Sequence, residues 1–193
     1  LILHLIAQIA SNHHRENNFL PKIEQAILLF KEKTKQNLNN SSIFTIFKDN
    51  KRILLFLIKE GMITIDIYIS SEIFTGNFIN YKYPQYFFPE IKPFLYIFND
   101  LQINIDENNE YYDSIKEFEE FKKRYSEKLP EDYEERRLIG ENDDFICNLI
   151  RNDLIDEFIS YINQRNIEVN QEIDISIYET NNFLLKKMKK KLT

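Results

Sequence analysis

LPEDYEERRLIGENDDFICNLIRNDLIDEFISYINQRNIEVNQEIDISIYETNNFLL, residues 129–185, decides the fold. Between Asp143 and Asn152 the apolar residues are Phe145, Ile146, Leu149 and Ile150. That spacing lays them along one face of a helix. The polar pair Asn152-Asp153 interrupts the pattern. A second face follows at Leu154, Ile155, Phe158, Ile159 and Ile162, with Phe158 expected in the core. Asn166-Ile-Glu-Val-Asn170 then alternates and leaves the helix. A helix, a tight polar turn, a second helix and a short extended exit form a unit that cannot bury its own apolar face. Such a unit must stack on neighbours, as helical repeats do.

Working outward, residues 43–66 follow the same logic. Ile43, Phe44, Ile46 and Phe47 mark a first helix, Asp49-Asn50 a turn, and Ile53, Leu54, Leu57 and Ile58 a second helix. Gly61 stands where a helix C-cap belongs. A shift of roughly a hundred residues, the kind of internal period a repeat leaves, aligns Ile46 with Ile150, Asp49 with Asp153, Leu54 with Phe158 and Ile58 with Ile162. Helix, turn, helix and short exit is also the grammar of an ankyrin-type repeat. The expected fold is all-α, an irregular solenoid of degenerate ankyrin-like hairpins built from about ten helices. Residues 1–128 are expected to form an N-terminal helical region, with one such hairpin near 43–66 and an aromatic insert near 77–98. Residues 129–193 form an ankyrin-like helical domain expected to continue into further repeats.

The flanking elements are read in the same way. Residues 1–17 read as a helix with Leu1, Leu5, Ile9 and the adjacent Ile2 and Ile6 inward. Pro21 suits the first turn of a helix running to about Gln36, where its missing N–H costs nothing. Ser41 or Ser42 is expected to cap the helix at 43, and Thr64 the one carrying Ile65, Ile69 and Ile73. Pro84, Pro89 and Pro93 imply irregular backbone over 81–88 and a helix from about Pro89 to Leu101. Pro130 and Gly140 bracket a short helix bearing Tyr133, Leu138 and Ile139. The chain opens with Leu rather than Met, so a longer protein is expected.

Composition narrows the function. With 43% hydrophobic and 14% aromatic residues among 193, the chain can bury a core. A net charge of −6 disfavours nonspecific nucleic-acid binding, which depends on clustered Lys and Arg. No run approaches the ~18 apolar residues of a membrane span. A single cysteine, Cys147, leaves no internal disulfide and no cysteine-based zinc site. It lies on the apolar side of its helix and reads as a small buried hydrophobe, in keeping with a reducing compartment.

Chemistry-bearing motifs are sparse. His13 and His14 project about 100° apart on a helix and His4 lies too far along it, so no metal is expected. Glu119-Glu120, Glu134-Glu135 and Asp143-Asp144 fall in mixed-charge stretches that read as solvated helix faces rather than an acid–base pair. No phosphate-binding glycine loop, nucleophile elbow or zinc-protease motif occurs, so neither catalytic residues nor a cofactor is expected. Lys186, Lys187, Lys189, Lys190 and Lys191 read as a basic helix end complementing its dipole. The run Tyr81, Tyr83, Tyr86, Phe87 and Phe88 has two accounts. It is either a loop packed onto the core by its own rings or a partner-binding patch, since rigid aromatics dominate interface hot spots.

The stretch 129–166 followed by SIYETNNFLL resembles the uncharacterised domain that precedes ankyrin repeats in a large protein family expanded in trichomonad protists. Ile139-Gly140-Glu141-Asn142-Asp143 and Ser176-Ile-Tyr-Glu-Thr-Asn181 carry the resemblance most specifically. NKRILLFLIKEGMITID and YPQYFFPEIKPF upstream are similar to the same family. The resemblance implies degenerate ankyrin-like hairpins followed by regular repeats, and no catalytic residues. The expected function is a non-catalytic protein-interaction scaffold or adaptor in the cytoplasm. The alternative is a fixed part of a large assembly such as a microtubule- or axoneme-associated particle, placing the protein on the cytoskeleton or in a cilium or flagellum.

Overall fold

The computed structural model describes residues 2–12, 19–75, 78–79, 82–102, 109, 111–141, 145–167 and 176–180. Every regular element among them is helical, so the fold is all-α. In chain order these are α1 (Ile2–Asn12), α2 (Phe19–Leu29), α3 (Lys31–Asn37), α4 (Asn40–Phe47), α5 (Lys51–Lys59) and α6 (Ile67–Ile73). Next come α7 (Tyr83–Tyr86), α8 (Phe88–Ile91), a 3-10 turn (Lys92–Phe94), α9 (Leu95–Gln102) and α10 (Tyr112–Tyr125). The last are α11 (Tyr133–Ile139), α12 (Phe145–Arg151) and α13 (Ile155–Arg165). The sequence expects fewer, longer helices in two places. The helix from Pro21 to Gln36 breaks at Phe30 into α2 and α3, and the one from Pro89 to Leu101 is interrupted by the 3-10 turn that holds Pro93.

The core gathers around the hairpin α4–α5. Its apolar stripe, Ile43, Phe44, Phe47, Ile53, Leu54 and Leu57, is buried throughout. α1 and α6 pack on α4, α9 packs on α6, and α10 packs on α7. The contiguous apolar cluster runs from Ile6 to Phe118, with Leu129 packed against it part-buried. α11 joins this body mainly through polar and aromatic contacts.

Helix ends are set by capping groups that the sequence places one or two residues away. Asn39, not Ser41 or Ser42, caps α4, accepting from the Ser42 N–H at 2.8 Å. Asp66, not Thr64, caps α6 through the Ile69 N–H at 2.9 Å. Asn50 ends the turn and caps α5 through the Ile53 N–H. Gly61 does close α5. Its φ is +62°, and Gly61 N–H and Met62 N–H donate back to Ile58 and Leu57, as in a Schellman motif.

The second hairpin, α12–α13, forms over the quoted stretch. Asp153 (φ 53°) makes its turn and Asn166 (φ 50°) its C-cap. The shift that carries Phe47 onto Arg151 also carries Lys51 onto Ile155, so both hairpins break at corresponding positions. Their environments differ. Among the described side chains of α12 only Leu149 is buried, and α13 buries none. Phe158 is half-buried rather than core, and Cys147 is also half-buried. The periodicity is helical, but the face it marks is covered only in part: Leu149 is buried and Ile146, Phe158 and Ile162 half-buried, while the rest is exposed.

Candidate functional site

Two features stand out among the described residues: an uncovered apolar face and a buried cationic–aromatic node that ties its two ends down. The face lies on the second hairpin. Phe145, Ile150, Leu154, Ile155 and Ile159 are all exposed, Ile155 by 64% and Ile159 by 50%. Five large apolar side chains are thus exposed within fifteen residues of the chain. Phe145 meets Tyr161 at a tilt, 4.9 Å between ring centroids, a contact between α12 and α13. Asp156 and Glu157 stand exposed in the first turn of α13, favoured there by the helix dipole.

The node begins at Lys51, which the sequence places on the same helical stripe as Leu54 and Leu55. Its side chain is fully buried. The ammonium lies 5.2 Å from the Tyr83 ring centre and 5.4 Å from that of Tyr86. It donates to the carbonyls of Glu179 at 3.1 Å and Ile177 at 3.5 Å. Burial pulls the Lys51 pKa down from its ordinary 10.5 to about 7, with Glu179 opposing and Lys82 assisting the shift.

Arg137 is the second buried cation. It grips Glu90 with both terminal nitrogens, at 2.7 and 2.9 Å, and reaches Glu134 at 2.6 Å and the Tyr86 carbonyl at 2.9 Å. Burial works against its charge, but Glu90 and Glu134 hold it protonated well beyond its ordinary range. Burial likewise works to raise the Glu134 carboxyl, yet Arg137 and Lys59 hold it below its usual value. The Tyr86 hydroxyl donates to the Arg137 carbonyl at 2.8 Å, and the Tyr133 hydroxyl is shared between the Gln85 and Tyr86 carbonyls. Burial raises both phenols far above their ordinary range. Arg52 adds a link from the other side, donating to the Leu138 carbonyl at 2.8 Å and lying 3.0 Å from Glu24.

This node overturns one of the two accounts of the aromatic run. Tyr83, Tyr86, Phe87 and Phe88 are 0–1% exposed. They are interior residues and offer no surface to a partner. Tyr81 lies outside the described residues. The physical reason is the kinking of 82–91 by Lys82 (φ 57°) and the two prolines, which folds the segment into α7 and α8 against α10 rather than letting it loop outward. The Tyr83 hydroxyl donates to the Lys48 carbonyl at 2.6 Å, and its ring meets Phe78 edge-on.

The remaining candidates are dispersed. His4 is exposed, while His13, His14, Asp143, Asp144 and the C-terminal lysines lie outside the described residues. Glu119 and Glu120 are exposed on α10, and Glu134 is engaged with Arg137 and Lys59. No group of three or more His, Cys, Asp or Glu able to hold a metal occurs among the described residues. No described helix is long and apolar enough to cross a membrane. A groove of about 360 Å³ runs between α1, α3 and α4, lined by Leu3, His4, Phe30, Thr34, Leu38 and Ile46 among others.

The structure joins two stretches far apart in the sequence, 139–141 and 176–180. Thr180 donates to the Gly140 carbonyl through Oγ1 at 2.7 Å and through its N–H at 3.1 Å. Tyr178 lies edge-on to Tyr133, with the Arg136 guanidinium 5.6 Å from its ring centre. The hairpin therefore hangs between two neighbouring anchor points, Gly140 and the segment 176–180. Compared with family models, with curated proteins and with solved structures, the chain matches none.

Proposed function

We propose that this chain is a non-catalytic protein-interaction module of degenerate ankyrin-like hairpins, and that the α12–α13 face is its docking surface. The observation that carries this is the contrast between the two hairpins. They break at corresponding positions, yet α4–α5 is buried under α1, α6 and their neighbours while α12–α13 leaves Phe145, Ile150, Leu154, Ile155 and Ile159 exposed. The cover that suits such a face is the cover its sister hairpin has, namely helices presenting aliphatic side chains. The occupant is therefore a helical surface on a protein partner. Exposed Asp156 and Glu157 beside the face favour basic residues at the edge of that surface.

The test places a photo-crosslinking phenylalanine analogue at position 145 of the full chain in native cells and identifies the crosslinked peptide. Capture of an apolar helical segment, lost when Ile155 and Ile159 are both replaced by Asp while the helical circular dichroism is unchanged, supports the reading. Capture unaffected by the double substitution overturns it. Recovery of a filament subunit such as tubulin at fixed stoichiometry, with co-sedimentation on microtubules, moves the assignment to a fixed component of an assembly.

A further inference from the structure

The groove between α1, α3 and α4 grades from an apolar floor to a polar mouth. Phe30, Thr34 and Leu38 stand four apart across α3, with the Thr34 N–H on the Phe30 carbonyl and the Leu38 N–H on that of Thr34. That spacing sets them in one stripe along the helix. Leu3 of α1 and Ile46 of α4 line the groove with them. Leu3, Phe30, Leu38 and Ile46 are half-buried, whereas His4, Lys33 and Asn37 are exposed.

Two donors in the groove are unused. Thr34 is 5% exposed, yet its hydroxyl makes no hydrogen bond among the described residues. The Thr45 and Thr75 hydroxyls, by contrast, both donate to the carbonyl four residues earlier. Lys33, the residue before Thr34, enters no ion pair among the described residues, while nearby Lys31 holds Glu60 at 3.1 Å. The Asn37 amide is engaged with the Lys33 carbonyl at 2.7 Å. No Asp or Glu stands among the described lining residues, in a chain of net charge −6.

We propose that this groove binds a free medium-chain fatty acid, its tail on Leu3, Phe30, Leu38 and Ile46 and its carboxylate on the Thr34 hydroxyl and the Lys33 ammonium. An apolar pocket with a few placed polar groups is the usual form of a small-molecule site. A volume of about 360 Å³ is near the lower end of the roughly 300–1,000 Å³ such sites occupy, which sets the short chain. An ionised carboxylate only accepts, and its two oxygens match two donors from adjacent helix positions. A plain hydrocarbon leaves the buried hydroxyl unsatisfied. An alkylammonium meets the like charge of Lys33 with no described carboxylate in the lining to hold it. No described lining residue belongs to α12–α13, so this site stands or falls separately from the docking face.

The experiment is equilibrium dialysis of the full chain, freed of lipid, against radiolabelled octanoate below its micellar range, with octanol as the uncharged probe of equal length. We expect octanoate to bind with unit stoichiometry and octanol about tenfold more weakly. Thr34→Val keeps the shape and removes the hydroxyl, and should weaken octanoate about tenfold. Lys33→Met should weaken it by up to about fivefold, since the ammonium is exposed. Both variants should keep the helical circular dichroism. The chain carrying Ile155→Asp and Ile159→Asp should bind octanoate as the wild type does. No octanoate binding, equal affinity for octanol, or an affinity unchanged in both groove variants each overturns the proposal. Binding lost in the Ile155 and Ile159 double variant moves the fatty acid to the hairpin face and overturns it too. Ultracentrifugation tests the other occupant: a dimer that Ile2→Glu dissolves assigns the groove to a second copy and overturns the proposal.

Discussion

Thr180 and Gly140, forty positions apart, are joined by two hydrogen bonds to a single carbonyl, and a side chain at Gly140 would crowd the residue that makes them. Gly140 has a φ of +71° and ends α11 in the left-handed region. A Cβ built there would lie 3.0 Å from Thr180 Oγ1 and 3.2 Å from its methyl group. Two constraints, one of backbone and one of contact, therefore meet at one glycine, which explains why a glycine stands at the foot of the hairpin.

Gly140→Ala is expected to cost about 1–2 kcal/mol from the left-handed backbone alone, and more if Thr180 is displaced. Gly61 provides the control. It has a similar φ of +62°, but a Cβ there would meet nothing within 4 Å, so Gly61→Ala should show the backbone cost only. Urea unfolding of both variants measures the difference. Equal losses at the two sites would mean that the Thr180 contact contributes nothing.

The aromatic run gives a sharper contrast. Tyr86 and Phe87 are both fully buried and in edge-on contact at 4.9 Å. Replacing either by Ser deletes a core ring, a change that costs about 3–5 kcal/mol even when the replacement is Ala. Each variant should show a large drop in thermal midpoint or fail to fold. A cooperative transition within a few degrees of the wild type would return these rings to the surface.

Much of the architecture is legible in the sequence, because helical periodicity survives wherever prolines do not interrupt it. The stripes at 43–58 and 145–162 both fold into hairpins. What the pattern cannot convey is which stripe is covered, since covering depends on contacts between distant segments. Phe158 and Leu54 occupy corresponding positions, and only Leu54 is buried. The aromatic run fails for the same reason. Tyrosines suit a core or an interface equally, and the deciding contacts reach to Lys48 and Arg137. The two buried cations did leave a trace. Lys51 lies three and four residues before Leu54 and Leu55, and Arg137 lies four after Tyr133, so each sits on the inward face of its helix.

Gln85 identifies a site where the fold can be improved. Both polar atoms of its side chain are buried and have no hydrogen-bond partner among the described residues. An unsatisfied buried amide costs about 1–3 kcal/mol. Gln85→Met keeps the length and removes the polar atoms, so it should raise stability by about 1 kcal/mol or more, read from the denaturant midpoint. A loss of stability would show that the amide is satisfied in solution.

The buried ionisable groups shape how stability depends on pH, and the signs differ on either side of about pH 10. Lys51 is the first contributor. Its amine titrates at about 7 in the fold and at its ordinary 10.5 in the unfolded chain. Between these values the unfolded chain holds the extra proton, so stability rises with pH, by up to about 1.4 kcal/mol per unit. Tyr86 and Tyr133 act above that window. Burial raises both far beyond their ordinary 10.0, so above about pH 10 the unfolded phenols ionise while the folded ones stay neutral. Stability then falls with further increase. Denaturant unfolding of the wild type and of Lys51→Met from pH 7 to 11 separates the two contributions. The difference between the two proteins should shift in favour of the wild type as pH rises from 7 to about 10, then flatten. The fall above pH 10 should remain in both, and should weaken when Tyr133 is replaced by Phe. A difference that does not vary with pH would mean that Lys51 keeps its proton in the folded state.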